Sequence, residues 1–192
     1  GWTEADFVIV VGSTRSADEE RILLDALAPL RAEVKVVFAP RHLERSDEVA
    51  LAASASGTLV RRSKAEHGPF VLLDTYGELS SVYAAADVAI IGGSFASHGG
   101  QNLIQALGHG VPVLHGPWME NFASAAREAA DAGACRKLEA TPAAVREAIQ
   151  MLRADPDLRH KMGAAGKALV ESAQGASARY AEAICAAMPP TT

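Results

Sequence analysis

The sequence predicts an α/β protein of the doubly wound, Rossmann-like type, a parallel sheet with helices on both faces. Three observations carry that expectation. Short apolar runs rich in β-branched residues, at 7–11 and 88–91, read as strands buried on both faces. Segments with apolar residues at helical spacing lie between such runs, so strand and helix alternate along the chain. Polar or glycine-rich turns follow the strands, where sheets of this kind bind ligands outside their carboxyl ends. At 192 residues, 49% hydrophobic and 21% charged, the chain has the size and composition of one globular domain.

Residues 1–6 carry no pattern and are expected to be a linker or frayed start, leaving a domain over 7–188. The first strand, 7–11, is followed by Gly12-Ser13-Thr14-Arg15. Asp18, Glu19 and Glu20 open a helix whose apolar stripe is Leu23, Ala26, Leu27 and Leu30. These acids read as dipole-complementing groups without chemistry. A second strand, 34–39, closes at Pro40-Arg41-His42, and a helix through 48–53 comes next. Strands at 58–61 and 70–73 flank Arg62-Ser63-Lys64 and a Gly68-Pro69 loop. Asp74-Thr75-Tyr76-Gly77-Glu78-Leu79 then enters a helix through Tyr83.

Residues 87–122 form the stretch around which the chain is organised. The strand at 88–91 turns through Gly92-Gly93-Ser94 and crosses a polar loop to Gly99-Gly100. A helix is expected to start there, carrying Leu103, Ala106 and Leu107 inward and ending at Gly110, before a strand at 111–114. Strand, glycine-rich loop, helix and strand make a phosphate-binding geometry. Glycine lets the backbone approach an anion, and the free N–H groups of a helix start face it with a favourable dipole. The alternative is that the glycines serve tight turns only. Two pairs bracketing one loop, with Asn102 in the first helical turn, favour a ligand site.

The remainder is helical and well punctuated. A helix over 121–132 stops at Gly133, and 134–138 reads as an edge strand. Thr141-Pro142 is an N-cap followed by proline at the first helical position, with Val145, Ala148, Ile149 and Leu152 on one face. Asp155-Pro156 repeats the device ahead of Leu158, Met162, Ala165 and Leu169. Gly175 separates this from a last helix through Ile184.

A net charge of −5 implies no general attraction to nucleic acid or to an anionic membrane. Cys135 and Cys185 lie far apart without metal-ligand spacing, and both are expected to be reduced and structural, as in a cytosolic protein. No apolar run approaches the roughly 20 residues needed to span a bilayer, so the chain is expected to be soluble. His98, His109 and His115 are not spaced as metal ligands. His109 falls near a helix end and reads as structural, whereas His98, in the glycine-rich loop, is open to either role. No serine or cysteine nucleophile arrangement, Walker lysine or GxGxxG after the first strand is present, which argues against a nicotinamide cofactor.

Four polar clusters fall at strand ends: Gly12-Ser13-Thr14, Pro40-Arg41-His42, the turn into Gly77-Glu78-Leu79, and 92–102. They are expected to converge on one rim. There Arg41 would stack on a base or meet a phosphate, or else stay solvated. Glu78 would accept hydrogen bonds from a sugar or a base amino group, and helix starts at Glu78 and Gly100 would hold an anion.

GST at 12–14, APRHLER at 39–45, RRSK at 61–64, DTYGEL at 74–79, YAAADVAIIGGSF at 83–95, GGQN at 99–102 and GVPVLHGPWMENF at 110–122 occur in one order. Together they closely resemble the C-terminal half of 3-deoxy-D-manno-octulosonic acid (Kdo) transferases, which add Kdo to lipid A. The resemblance covers roughly 7–185. It implies one half of a GT-B glycosyltransferase, the half that binds the donor CMP-Kdo, with inverting, metal-independent transfer and no cofactor. By similarity, CMP would be held at Pro40-Arg41, at Tyr76-Gly77-Glu78 and at 102–105, from Asn102 to Gln105. Ser63, the Gly92-Gly93-Ser94 turn and the Gly99-Gly100 pair are further donor contacts on this reading.

The family carries a glutamate where this chain has Gln105, a residue that in GT-B enzymes accepts hydrogen bonds from ribose. Glutamine keeps one acceptor oxygen and loses the charge. Ser16-Ala17 departs from a glycine-then-glutamate pattern. The N-terminal domain of the family, with its acceptor site, membrane-associating surface and general base, has no counterpart here. No residue is therefore nominated as catalytic, the isolated domain is expected to be inactive alone, and lipid A is a partner only through that missing half. The full-length enzyme would sit at the cytoplasmic face of the inner membrane. A donor domain for another nucleotide sugar, such as a UDP-sugar, and a non-catalytic nucleotide-binding module remain the alternative readings.

Overall fold

A computed structural model describes residues 2–54 and 59–173. Seven strands form one sheet, β1 (Val8–Thr14), β2 (Lys35–Pro40), β3 (Val60–Arg61), β4 (Phe70–Leu72), β5 (Val88–Ile91), β6 (Val113–His115) and β7 (Cys135–Lys137). The order is β3-β4-β2-β1-β5-β6-β7, and every pairing is parallel. The chain lays β2, then β3 at the edge and β4 between them on one side of β1, and then crosses to β5 on the other. That reversal puts the switch point, and the crevice that comes with it, between the carboxyl ends of β1 and β5.

Alternation along β1 divides the core into two layers. Ile9 and Val11 face one layer, where they meet Leu23 and Leu27 of α1 (Ala17–Leu27), Val49 of α2 (Ser46–Ser54) and Ile149 and Leu152 of α6 (Pro142–Ala154). Val8 and Val10 face the other. That layer is built from Tyr83 of α3 (Leu79–Tyr83), Leu107 of α4 (Ile104–Gly108), Ala126 and Ala129 of α5 (Ala123–Asp131), and Leu169 of α7 (Pro156–Ala173). Both faces are covered, as a continuous apolar run in a parallel strand requires. The expected stripe at Val145, Ala148, Ile149 and Leu152 is buried throughout, and the Thr141 hydroxyl accepts the Ala144 N–H to cap α6. Asp155 caps α7 through the Leu158 N–H.

The boundaries differ from expectation where backbone geometry overrides pattern. β1 runs on to Thr14, with a break in register between Gly12 and Thr14 where Ser13 takes φ 63°. α4 begins at Ile104 and not at Gly100, because Gly99 and Gly100 have φ of 78° and 77°, which no right-handed helix accepts. α5 starts at Ala123, after a 3₁₀ turn over Glu120–Phe122, in place of a start at Asn121. The expected strand at 58–61 is described only as Val60–Arg61, since Thr58 lies outside the described residues; so do Gly175, the helix through Ile184 and Cys185. Cys135 is a buried free thiol, and burial raises its pKa to about 11.

Candidate functional site

At the carboxyl ends of β1, β2 and β4 lies a cavity of about 380 Å³. It is lined by Ser13, Arg41, Gly77, Leu79, Ser80, Tyr83, Gln101, Asn102, Gln105 and Phe122. A smaller lobe of about 120 Å³ shares Ser13, Arg41, Gly77 and Leu79 with it and adds Pro40, Thr75 and Tyr76. Arg41 is the one charged residue in the main lining, and no carboxylate faces it there. Its guanidinium makes no hydrogen bond or ion pair among the described residues. An uncompensated arginine in a polar, partly enclosed crevice at a switch point is an anion site in waiting.

The elements that build this cavity are held by short-range chemistry. The Arg41 N–H donates to the Thr14 carbonyl at 2.8 Å, continuing the β1–β2 pairing past the strands and aiming Arg41 over Ser13. Gly92 can only be glycine. A Cβ there would lie 2.5 Å from the Thr14 nitrogen and 2.6 Å from the Ser13 carbonyl carbon, so the β1 and β5 turns touch backbone to backbone. Asn102 accepts the Ile104 N–H on its Oδ1, which starts α4 and leaves its amide nitrogen at the cavity wall. Tyr76 is 83% exposed in the lobe, an aromatic face held open to solvent by the turn through Gly77 at φ 82°.

Thus Pro40, Arg41, Tyr76, Gly77, Asn102 and Gln105, expected as site residues, converge on one rim. Others do not line it. Glu78 accepts the Thr75 hydroxyl and the Arg62 guanidinium, and the Thr75 bond first, then Arg62, hold its carboxyl below the usual range. Ser63 donates both its hydroxyl and its N–H to Asp74. Burial works to raise the Asp74 carboxyl, but these bonds and nearby Arg61 outweigh it and hold that carboxyl low. The Ser94 hydroxyl is fully buried, donating to the Ile91 carbonyl and accepting the Gly116 N–H, so it serves the fold. Gly99 and Gly100 admit the Asn121 amide and the Met119 sulfur, where a Cβ would sit 2.3 and 2.4 Å away. They are packing glycines, and the helix start expected at Gly100 is displaced to Ile104.

The acids at 18–20 also depart from expectation. Glu19 and Glu20 are not solvated helix-start groups; both are buried. Glu20 accepts both terminal nitrogens of Arg45 at 2.8 Å and the Thr14 hydroxyl at 2.8 Å. Glu19 accepts the Arg15 N–H, and the amides of Gly93 and Phe95 also favour its charged form, while Oε2 closes no hydrogen bond of ordinary geometry. Desolvation dominates and pushes the Glu19 carboxyl up.

Ser13, Leu79 and Gln101 belong to the strand-end clusters expected on this rim, whereas Ser80, Tyr83 and Phe122 were not singled out from sequence. Phe122 enters through the 3₁₀ turn, which carries no signal. A larger cavity of about 720 Å³ lies on the β2–β4 face between Trp2, Val37, Pro69 and Val82. Its lining is predominantly apolar. Among the described residues no cluster of three or more His, Cys, Asp or Glu is placed to hold a metal, and no helix is long and apolar enough to cross a membrane.

No family model matches the chain. A curated 3-deoxy-D-manno-octulosonic acid transferase of Bordetella pertussis is 40% identical over 92% of this chain and 44% of its own length. The Haemophilus influenzae transferase of that name is 29% identical over 93% of the chain and 43% of its own. The chain thus spans about half the length of the curated relatives it matches. The crystal structure of the C-terminal CMP-Kdo binding domain of WaaA from Acinetobacter baumannii superposes with a TM-score of 0.81 at 29% identity. That match covers 87% of this chain and 90% of that domain. Anabaena HepE in complex with UDP and glucose shares the fold at a TM-score of 0.66 and 18% identity, over 87% of this chain and 44% of its own. The sheet order, the crevice at the β1–β5 switch and the ordered motifs around it go with these likenesses: the chain belongs to the 3-deoxy-D-manno-octulosonic acid transferase family and forms one half of a GT-B glycosyltransferase fold.

Proposed function

We propose that this domain binds CMP-Kdo as the donor for transfer of Kdo to lipid A. The single observation that carries the reading is the unpaired Arg41 in an otherwise uncharged cavity at the switch point, in a chain similar over most of its length to a CMP-Kdo binding domain. Arg41 meets the phosphate. The exposed Tyr76 ring, beside Pro40 and Gly77, offers a stacking face for the pyrimidine. Asn102 and Gln105 face the ribose across the main cavity. Ser63 and Glu78 buttress the 74–78 turn from behind.

On this reading transfer inverts the sugar without a metal or cofactor, because a guanidinium stabilises the charge that develops on the leaving phosphate. The acceptor site and the general base belong to a second, N-terminal domain, which also associates with the cytoplasmic face of the inner membrane. Isothermal titration with CMP, with UDP alongside, tests the proposal. It predicts saturable, CMP-selective binding that is lost in Arg41→Ala. A preference for UDP overturns the donor assignment and supports the UDP-sugar alternative; no binding to either favours a module that kept the fold and lost the ligand.

A further inference from the structure

We propose that Arg15 is a second cationic anchor of this site, binding the carboxylate of an acidic sugar donor. The inference rests on the nucleotide-sugar reading above and deepens it. Arg15 follows the last residue of β1, and its main chain is pinned. Its N–H donates to the buried Glu19 carboxylate. That buried carboxylate fixes the Arg15 backbone at the end of β1. Next to it, the Thr14 carbonyl holds the Arg41 N–H, so the two arginines leave from adjoining main-chain segments.

The side chain is directed as well. A Cβ on Gly93 would lie 3.4 Å from Arg15 Cδ and 3.3 Å from Gln101 Cγ. The arginine stem therefore crosses the Gly93 turn beside Gln101, a residue of the cavity wall. Gly93, at φ 67°, leaves room for that passage. The nearby acids are committed elsewhere: Asp18 to Arg21, Glu20 to Arg45, and Glu19 to backbone amides. The Arg15 guanidinium makes no hydrogen bond or ion pair among the described residues. A half-buried fork, unneutralised among the described residues, whose stem passes beside the cavity-wall residue Gln101 is suited to bidentate capture of a planar carboxylate.

A CMP-linked octulosonic acid carries two anionic groups, a phosphodiester and a sugar carboxylate, and two arginines without an ion pair among the described residues stand ready, Arg41 in the lining and Arg15 beside Gln101. Arg41 meets the first and Arg15 the second. A neutral sugar would leave Arg15 with nothing to bind, which makes it a determinant of specificity.

The test is titration of the wild-type chain, Arg15→Ala and Arg15→Lys with CMP and with freshly prepared CMP-Kdo, with thermal melts to verify folding. The expected result is that the ratio of CMP-Kdo affinity to CMP affinity falls at least about tenfold in Arg15→Ala and less in Arg15→Lys, which keeps the charge but loses the fork. An unchanged ratio, or an equal loss for both ligands, overturns the proposal. A wild-type chain that binds CMP without preferring CMP-Kdo overturns it alone, and one that binds neither overturns the nucleotide reading too.

Discussion

The hydroxyl of Tyr83 packs directly over Gly12. A Cβ at position 12 would lie 1.9 Å from that oxygen and 3.0 Å from the ring carbon bearing it. Burial raises the Tyr83 phenol well above its ordinary range, so it stays neutral as part of the cavity floor. Gly12→Ala is therefore expected to force the ring aside, destabilising the domain by about 1–3 kcal/mol and disturbing the cavity. Tyr83→Phe removes the oxygen and should recover part of that loss. A urea-unfolding double-mutant cycle measures it, and strict additivity of the two changes would contradict the packing argument.

Arg41 contributes charge without structural bonds, so Arg41→Ala should leave thermal stability almost unchanged. Its effect on CMP should be a weakening of roughly tenfold to a hundredfold, the range for a lost charge-assisted hydrogen bond. Calorimetric titration beside a melting curve separates the two. Equal binding by both forms would remove Arg41 from the site.

Gln105→Glu places a second acceptor oxygen and a charge at the exposed first turn of α4, on the cavity wall. Tighter CMP binding, by about threefold to tenfold, is expected from a better ribose acceptor. Weaker binding would mean that the added carboxylate repels the phosphate more than it helps the sugar.

Glu20 and Arg45 form a bidentate pair in which Glu20 is 1% exposed. Glu20→Gln removes the buried half of the pair and leaves Arg45 only its exposed Glu48 partner at 3.2 Å, and is expected to cost about 3 kcal/mol of unfolding free energy. Equilibrium denaturation measures the loss. A change below about 0.5 kcal/mol would show that the pair contributes little to the fold.

His115 is buried, and desolvation lowers its pKa below the ordinary 6.5, with the charge on Lys137 adding to the effect while the hydrogen bond to the Gly116 carbonyl opposes it. The unfolded chain then binds the proton more readily than the folded one. The stability held by neutral His115 is complete above the ordinary value and is lost as the pH falls towards the lowered one. Glu19 acts with the opposite sign: its raised carboxyl contributes stability below its ordinary 4.5, which is lost as the pH rises through the raised value. The His115 contribution should therefore fall as the pH drops below its ordinary 6.5, and His115→Gln should remove that part of the slope. A slope identical in both forms would assign the acid loss to other groups.

Much of the fold was legible in residue pattern. Val88–Ile91 is apolar at every position because a central parallel strand is covered on both sides, and Thr141-Pro142 and Asp155-Pro156 start their helices by local chemistry. The convergence of Arg41, Gly77 and Asn102 followed from a general rule, that loops at the carboxyl ends of such a sheet share one rim, whereas Gln105 was reached through the family resemblance. Those features depend on neighbours in sequence or on topology, and pattern reports both.

Partnership between distant side chains was left to the tertiary structure. Asp18, Glu19 and Glu20 look alike in sequence, yet Asp18 is solvated while the other two are buried against Arg45 and the turn after β5. The glycines at 92, 99 and 100 announce close approach without saying to what; the structure places the Ser13–Thr14 backbone, Asn121 and Met119 against them. Burial and pairing depend on which surfaces meet after the chain has crossed from one side of β1 to the other. A glycine or a carboxylate carries the same local signal whether it faces an anion, a neighbouring strand or an arginine twenty-five positions away.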